Sequence, residues 1–195
     1  MKNKPTLIFA TGNKNKVFEV QKMIGDSYDI KSLKDLGFTG DIPETSPTFE
    51  GNALQKARFV KDYFHLDCFS EDTGLEIEVL NNEPGVFTAR YGGPAKNANR
   101  NMDKVLSKLK GQKNRCAQFR TAVALILDET EYVFEGICKG QIRMEKAGTE
   151  GFGYDPIFEP EGYDITFAEM DAATKNKISH RGKAIRELIA FLERH

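Results

Sequence analysis

The chain has 195 residues, of which 28 are basic and 29 acidic, and its formal net charge is −1. This balance argues against a protein that binds DNA or RNA mainly through phosphate contacts, which needs an excess of lysine and arginine. No run of 18 apolar residues is present, so no segment is predicted to span a membrane. Met1–Pro5 lacks the apolar core of a signal peptide, and we expect a cytoplasmic protein. The length suits one compact domain or two closely joined lobes.

The three cysteines, Cys68, Cys116 and Cys138, are odd in number and widely spaced in apolar, strand-like segments. Such spacing does not indicate a metal site. We therefore expect all three to be reduced residues of the hydrophobic core.

The first predicted elements are a buried strand at Leu7–Ala10, a polar turn, and a helix with Val17, Val20 and Ile24 on one face. In this arrangement free backbone N–H groups point outward at the helix N-terminus and bind anions. Lysine and amide side chains in the turn add charge and donors. The turn therefore predicts a phosphate site, although solvated surface lysines are the alternative. Its residues are Thr11, Gly12, Asn13, Lys14, Asn15 and Lys16.

The next predicted elements are a strand near Tyr28–Leu33, a polar loop at Gly40–Pro47 and a helix at Thr48–Phe64. Glu44 on the loop is a candidate metal ligand, and a solvated acid is the alternative. Lys56 shares a helix face with Asn52, four residues earlier.

Two adjacent acids, Glu71 and Asp72, follow a short predicted strand at Cys68–Phe69. We expect the chain to turn at Ser70–Gly74 and to continue as a half-exposed strand at Leu75–Leu80. Adjacent carboxylates at a strand end suit a hard divalent cation. In extended backbone they point to opposite sides, so one faces the metal while the other orients water or a second metal. An acidic surface turn is the alternative.

The second half is predicted to contain a helix at Asn97–Leu109 and two long strands, Arg115–Leu127 and Glu131–Arg143, joined by a hairpin turn. A last helix should follow Ser179 as its N-cap. Because strands alternate with helices early and a hairpin comes late, we expect an α/β fold with a mixed sheet and helices packed on it.

Two late segments carry further candidate chemistry. In Gly151–Phe158 two glycines flank Phe152, a ring suited to stack on a nucleobase; an aromatic loop that closes the core is the alternative. A basic cluster follows, with His180 and Arg181 where a helix would begin. Positive charge is unfavourable at a helix N-terminus, and an anionic or electron-rich ligand would remove that conflict. The other members of the cluster are Lys175, Lys177 and Lys183.

Five motifs in order carry a family resemblance. They are Thr11-Gly12-Asn13-x-x-Lys16, Glu71-Asp72-Thr73-Gly74-Leu75, Pro84-Gly85-Val86 followed by Ala89-Arg90-Tyr91, Phe152-Gly153-Tyr154-Asp155-Pro156, and Lys175-Asn176-x-x-Ser179-His180-Arg181. From about Leu7 to the last helix the chain resembles the inosine triphosphate pyrophosphatases, which act on non-canonical purine nucleoside triphosphates. Bacterial members often carry Asp-Asp-Ser-Gly at Glu71–Gly74, and the longer Glu71 side chain could alter the metal geometry.

The resemblance implies an α/β fold with an elongated, long mixed β-sheet and flanking helices that form two lobes around a central cleft. It implies a single domain over residues 1–195 without a separable linker, and a homodimer. The implied activity is Mg²⁺-dependent hydrolysis of ITP, dITP and XTP to the monophosphate and pyrophosphate. The partner is then a small nucleotide, with no nucleic acid polymer and no membrane.

The resemblance also implies roles for individual residues. Thr11 to Lys16 would hold the triphosphate with Lys56, and Thr73 would contact substrate. Asp72 would be the general base and, with Glu71 and Glu44, a Mg²⁺ ligand. The base and the sugar-phosphate end would be held by Phe152, Gly153, Tyr154, Asp155, Lys175, His180 and Arg181.

The implied reaction is attack of water on the α-phosphorus, with either Asp72 or a metal-bound hydroxide taking the proton. Donors at His180 or Arg181 would donate to the 6-oxo group of hypoxanthine and disfavour adenine, while the rejection of guanine has no assigned residue. Three alternatives stay open: a phosphohydrolase of modified pyrimidine nucleotides, a nucleotide sensor without catalysis, and a structural protein.

Overall fold

The computed structural model of the protein describes residues 4–25 and 27–195. The strands are β1 (Thr6–Phe9), β2 (Asp29–Ser32), β3 (Cys68–Ile77), β4 (Glu83–Pro84), β5 (Cys116–Leu127), β6 (Thr130–Ile142) and β7 (Phe158–Pro160). The α-helices are α1 (Lys14–Ile24), α2 (Phe49–Phe64), α3 (Ala98–Lys108), α4 (Ala172–Ile178) and α5 (His180–Leu192). Short 3₁₀ helices lie at Glu78–Leu80, Gly85–Arg90 and Asp155–Ile157.

Within the described residues, the seven strands form one sheet in the order β2-β1-β3-β5-β6-β7, with β4 paired to β3. β1 runs parallel to both β2 and β3, whereas β7 is antiparallel to β6. The predicted α/β class, with a mixed sheet and flanking helices, is confirmed.

The first of two compact units consists of the residues up to Asp72 together with Thr121–Glu135 and Gly182–His195. Its core includes Phe9 and Phe69, whose rings stack with centroids 4.4 Å apart. Apolar residues of α1, β5 and α5 complete this core. Burial of such side chains contributes about 1.5–3 kcal/mol each and holds the ends of β1 and β3 in place.

The second unit consists of Thr73–Arg120 and Gly136–Arg181 and has its own hydrophobic core. Phe119 and Phe158 meet edge to face at its centre, with centroids 4.7 Å apart. β3, β5 and β6 each contribute residues to both units. Each unit is defined by its internal contacts. The arrangement of two lobes around a central cleft therefore stays a prediction.

Side-chain caps fix where the helices begin. Thr48 accepts a hydrogen bond from the Gly51 N–H, and Asn97 accepts one from the Arg100 N–H, so α2 and α3 start directly after these residues. Ser179 lies between α4 and α5 in extended backbone, as predicted for the residue before the last helix. The sequence did not predict α4, which carries Lys175.

The predicted turn at Ser70–Gly74 is wrong, because β3 runs without interruption from Cys68 to Ile77. The prediction ended the strand before the two acids and placed both of them in the turn. Glu71 and Asp72 are instead buried, and each carboxylate contacts a lysine of an adjoining helix. Burial of a charge is tolerated where such partners are present.

The hairpin between β5 and β6 turns through Asp128 and Glu129, both in left-handed backbone conformation with φ of 46° and 63°. A two-residue turn with positive φ at both positions matches the right-handed twist of the strands. The predicted hairpin is therefore confirmed, with its turn one residue shorter than expected.

The cysteines differ in burial. Cys68 and Cys138 are buried as predicted, whereas Cys116 is exposed at the start of β5, so its assignment to the core was wrong. No disulfide joins the three, all of which lie in the described residues. Burial raises the pKa of the Cys68 thiol to about 12.

We expect a maleimide to modify Cys116 in the native protein while Cys68 and Cys138 react only after unfolding, because the thiolate is the nucleophile and must be accessible. Mass spectrometry of labelled tryptic peptides, before and after guanidinium, measures this difference. Native labelling of Cys68 at the rate of Cys116 would contradict it.

Among the described residues, no helix has the length and apolar character needed to cross a lipid bilayer.

Candidate active site

The polar turn between β1 and α1 is organised by its own side chains. Thr11 Oγ1 accepts a hydrogen bond from the Asn13 N–H at 3.1 Å. Asn13 Oδ1 accepts from the N–H groups of Asn15 at 3.0 Å and Lys16 at 3.5 Å. The sequence predicted that these N–H groups would be free for an anion, and this is wrong for Asn15 and Lys16. An anion at this turn would therefore not rely on these two N–H groups.

The surface of this turn is nonetheless accessible to a ligand. Lys14 and Asn15 are exposed at the start of α1. A Cβ built on Gly12 would meet nothing within 4 Å, so the backbone beside it is open. Exposed donors around a small residue are consistent with phosphate binding.

Lys16 joins this turn to the acidic segment of β3. Its Nζ lies 3.0 Å from Glu71 Oε1, and the Glu71 side chain is completely buried. An ion pair with one buried member is geometrically constrained, because separating it would leave an uncompensated charge. The pair therefore fixes the Lys16 ammonium beside the polar turn.

Lys56 brings two further acids together. Its Nζ contacts Glu44 Oε1 and lies 3.6 Å from Asp72 Oδ1. Asp72 Oδ2 accepts a hydrogen bond of 3.0 Å from Asn52 Nδ2. The Lys56 ammonium and the Asn52 carboxamide thus connect the loop that carries Glu44, helix α2 and strand β3. All of these residues lie within the first unit.

Burial raises the pKa of the Asp72 carboxyl above its ordinary value. Lys56 and the hydrogen bond from Asn52 act in the opposite direction, but burial is the largest cause. A carboxylate with raised proton affinity is a better general base than a solvated one. This electrostatic setting is typical of a catalytic acid or base.

The arrangement of Glu44 and Asp72 fits a magnesium ion bound together with a phosphate ligand. Mg²⁺ commonly takes one or two protein carboxylates and completes its shell with water and substrate phosphates. In the described part of the chain, no three or more acidic, histidine or cysteine side chains group as metal ligands. All three predicted acids contact a lysine, but the Glu71 side chain is fully buried whereas those of Glu44 and Asp72 are 34% and 13% exposed, so Glu44 and Asp72 are the more accessible candidate ligands of the predicted three-acid set.

A second group of predicted residues surrounds Phe152 in the second unit. The Lys175 ammonium lies 5.0 Å from the centre of the Phe152 ring, and the Arg181 guanidinium carbon lies 5.2 Å from it. Cations at this distance are attracted by the ring face. The structure therefore brings the Phe152 ring together with two cations that lie more than 20 residues later in the sequence.

Asp155 fixes the loop that carries Phe152. Its Oδ2 accepts hydrogen bonds from the Phe152 N–H at 2.7 Å and from Lys175 Nζ at 2.8 Å. Both members of the Asp155–Lys175 pair are buried. The Asp155 carboxylate therefore helps to hold Phe152 in position. A direct contact between Asp155 and the substrate stays a prediction.

The remaining predicted residues differ in their surroundings. His180 is buried and stacks on Phe119, with ring centroids 4.6 Å apart. Tyr154 is a core residue whose hydroxyl donates to the Thr88 carbonyl at 2.8 Å. Gly153 has a left-handed φ of 66°, and Thr73 is half-buried on β3. The stack on Phe119 was not predicted, because nothing in the sequence links residues so far apart.

Substitution of Gly151 tests the loop that carries Phe152. At its φ of 78°, an added Cβ would overlap Asp155 Oδ2, whereas at Gly153 it would meet nothing within 4 Å. Gly153→Ala should cost about 1–2 kcal/mol of unfolding free energy from backbone strain alone. Gly151→Ala should cost roughly 2 kcal/mol more, because it also disturbs the buried pair of Asp155. Urea denaturation measures both, and equal losses would contradict the steric argument.

The family was identified by comparison with known proteins. The model of the Ham1 family matches residues 7–191. The dITP/XTP pyrophosphatase of Flavobacterium johnsoniae is 53% identical over 186 residues, covering 95% of this chain and 97% of its own. That of Bacillus subtilis is 44% identical over 191 residues, covering 95% and 96%. The solved HAM1 protein of Coxiella burnetii superposes with a TM-score of 0.91 at 34% identity, covering 98% of this chain and all of its own. The chain belongs to the Ham1 family.

Proposed function

We propose that this protein hydrolyses non-canonical purine nucleoside triphosphates, namely dITP, ITP and XTP, to the monophosphate and pyrophosphate. The observation that carries the proposal is the buried Asp72 carboxylate held by Lys56 and Asn52 in a member of the Ham1 family. A nucleotide sensor would need the lysines but not a buried carboxylate of raised pKa. The names of the similar dITP/XTP pyrophosphatases support the same activity.

The triphosphate is bound by the polar turn and by Lys56. Lys14 and Asn15 are exposed donors, and Lys16 is held in place by Glu71. These positive charges compensate the triphosphate and lower the cost of the charge that develops in the transition state. Thr11 and Asn13 shape the turn through their hydrogen bonds to its backbone.

A magnesium ion is the proposed cofactor, held by Glu44 and Asp72. When bound, it would neutralise phosphate charge and help the leaving pyrophosphate. The support is the chemistry of the two carboxylates, which share a contact with Lys56. In the absence of phosphate, the Lys56 ammonium compensates part of their negative charge.

Asp72 takes a proton from the attacking water. The water oxygen forms a bond to the α-phosphorus, and the bond from that phosphorus to the oxygen bridging to the β-phosphorus breaks. The proton passes to Asp72, and pyrophosphate leaves with the bridging oxygen. General-base assistance of this kind contributes typically 10²- to 10⁴-fold.

The purine base is recognised by the residues around Phe152. The Phe152 ring offers a flat surface on which a base can stack. The Lys175 ammonium and the Arg181 guanidinium lie beside this ring. An N–H group of Arg181 or His180 would donate a hydrogen bond to the 6-oxo group of hypoxanthine or xanthine. Adenine would place its amino group against that donor, and such a mismatch costs on the order of 10²-fold or more.

The proposal is tested by pyrophosphate release from dITP, ITP, XTP, GTP, ATP and dUTP, each with Mg²⁺ and with EDTA. Fast metal-dependent release from the first three, with monophosphate as the other product, is expected. Orthophosphate would place the attack on the γ-phosphorus and overturn the mechanism. Activity on dUTP alone would favour a pyrimidine hydrolase, and tight ITP binding without release would favour a sensor.

We also propose that the enzyme acts as a homodimer in the cytoplasm. The homodimer rests on the family resemblance. The cytoplasmic location is supported by three cysteines without a disulfide, which are consistent with a reducing compartment. Light scattering coupled to size-exclusion chromatography tests the dimer, and a monomer at micromolar concentration would overturn it.

A further inference from the structure

Asn52 links the candidate general base to the loop that carries Glu44. It lies in the first turn of α2, and its side chain is buried. Its Nδ2 donates to Asp72 Oδ2 at 3.0 Å, and its Oδ1 accepts from the Ser46 N–H at 2.8 Å. We propose that Asn52 is a positioning residue that fixes the orientation of the Asp72 carboxylate for proton transfer. The inference rests on the proposed hydrolysis.

The orientation of the Asn52 carboxamide is determined by chemistry. A backbone N–H can only donate, so the oxygen of the carboxamide must face Ser46. The amino group then faces Asp72, where a carboxylate oxygen can only accept. The Ser46 N–H can only donate and the Asp72 carboxylate can only accept. The reverse orientation of the carboxamide would therefore place two donors together at Ser46 and two acceptors together at Asp72.

The two oxygens of Asp72 consequently have different surroundings. Oδ2 is occupied by the Asn52 hydrogen bond, whereas Oδ1 lies 3.6 Å from Lys56 Nζ, beyond the range of a good hydrogen bond. Oδ1 is therefore the oxygen that stays available for the reaction, and the Asn52 hydrogen bond fixes its position. Without Asn52 the carboxylate can rotate toward Lys56 and form a closer ion pair, which withdraws Oδ1 from reaction.

Removal of this constraint should affect kcat far more than KM. A misplacement of about 1 Å at a catalytic group can cost 10²-fold in rate. In the proposed function, the turn before α1 and Lys56 bind the triphosphate. The Asn52→Ala substitution leaves these residues unchanged. We therefore expect Asn52→Ala to lower kcat for dITP by about 30- to 100-fold while KM changes by less than about 3-fold.

Two further variants separate the Asp72 contact from the loop contact. Asn52→Asp keeps the size and the acceptor for Ser46 but has no donor for Asp72, so its kcat should fall at least as far. Gln55→Ala is the matched control, because Gln55 Oε1 accepts from the Thr45 N–H at 3.0 Å and so anchors the same loop from the same helix. It should keep kcat within about 3-fold of the parent.

A double-mutant cycle with Asp72→Ala tests whether Asn52 acts through Asp72. Single-turnover rates with dITP should be the same for Asp72→Ala and for the double variant, within about 3-fold. The inference is overturned if Asn52→Ala keeps the parent kcat, if Asn52→Asp behaves as the parent, or if the loss persists without Asp72. Thermal unfolding of each variant controls for folding. If Asn52→Ala does not fold, the nearly isosteric Asn52→Asp variant provides the test of the inference instead. An inactive parent enzyme would instead contradict the proposed function itself.

Discussion

Replacement of Asp72 by asparagine is expected to lower kcat for dITP by about 10²- to 10⁴-fold, the range of general-base catalysis. The amide keeps the shape of the side chain and can still accept from Asn52, but it cannot take a proton from water. KM should change much less, because the lysines that bind the triphosphate stay in place. Steady-state release of pyrophosphate at saturating Mg²⁺ measures both parameters.

The same substitution should leave the protein at least as stable as the parent. Since burial raises the pKa of Asp72, its ionised form is unfavourable in the fold, and a neutral amide removes that cost. The control is Asp62→Asn, the same chemical change on an exposed residue of α2, which should alter neither kcat nor the melting temperature. Turnover by Asp72→Asn within tenfold of the parent would rule out Asp72 as the base.

Features set by neighbouring residues could be predicted from the sequence. Thr48 and Asn97 cap helices through hydrogen bonds to backbone groups three residues later, and Asp128 and Glu129 form the hairpin turn. Each depends on side chains and backbone within a few positions. Such local chemistry can be recognised without knowledge of the tertiary structure.

The contacts of the candidate site could not be predicted in the same way. Asn52 and Asp72 are 20 residues apart, and nothing local indicates that they meet. The signal that was available is the shared helix face of Asn52 and Lys56. For Glu71 and Asp72, the acidic side chains were assigned to a turn because the sequence does not reveal the lysines that make their burial possible.

At the polar turn, the expectation of free backbone N–H groups was wrong for Asn15 and Lys16 for a related reason. Asn13 was counted as a donor for a ligand, but its side-chain oxygen caps α1 and occupies the backbone N–H groups of Asn15 and Lys16. Asparagine is among the best N-cap residues, so the local interaction competes with the anion. The predicted donors on the side chains of Lys14, Asn15 and Lys16 are unaffected by this cap, and their role in phosphate binding stays a prediction.

Withdrawal of Mg²⁺ is expected to abolish pyrophosphate release, lowering the rate by about 10³-fold or more, because the metal neutralises charge that the protein alone leaves uncompensated. Activity should return when Mg²⁺ is added back in excess of EDTA. In Glu44→Gln one of the two proposed carboxylate ligands is lost, so the Mg²⁺ concentration for half-maximal rate should rise at least tenfold. Asp41→Asn is the matched control, since it removes the same charge from an exposed position of the same loop. An unchanged Mg²⁺ dependence in Glu44→Gln would exclude Glu44 as a ligand, because the loss of a metal-binding carboxylate must weaken the affinity that this measurement reports.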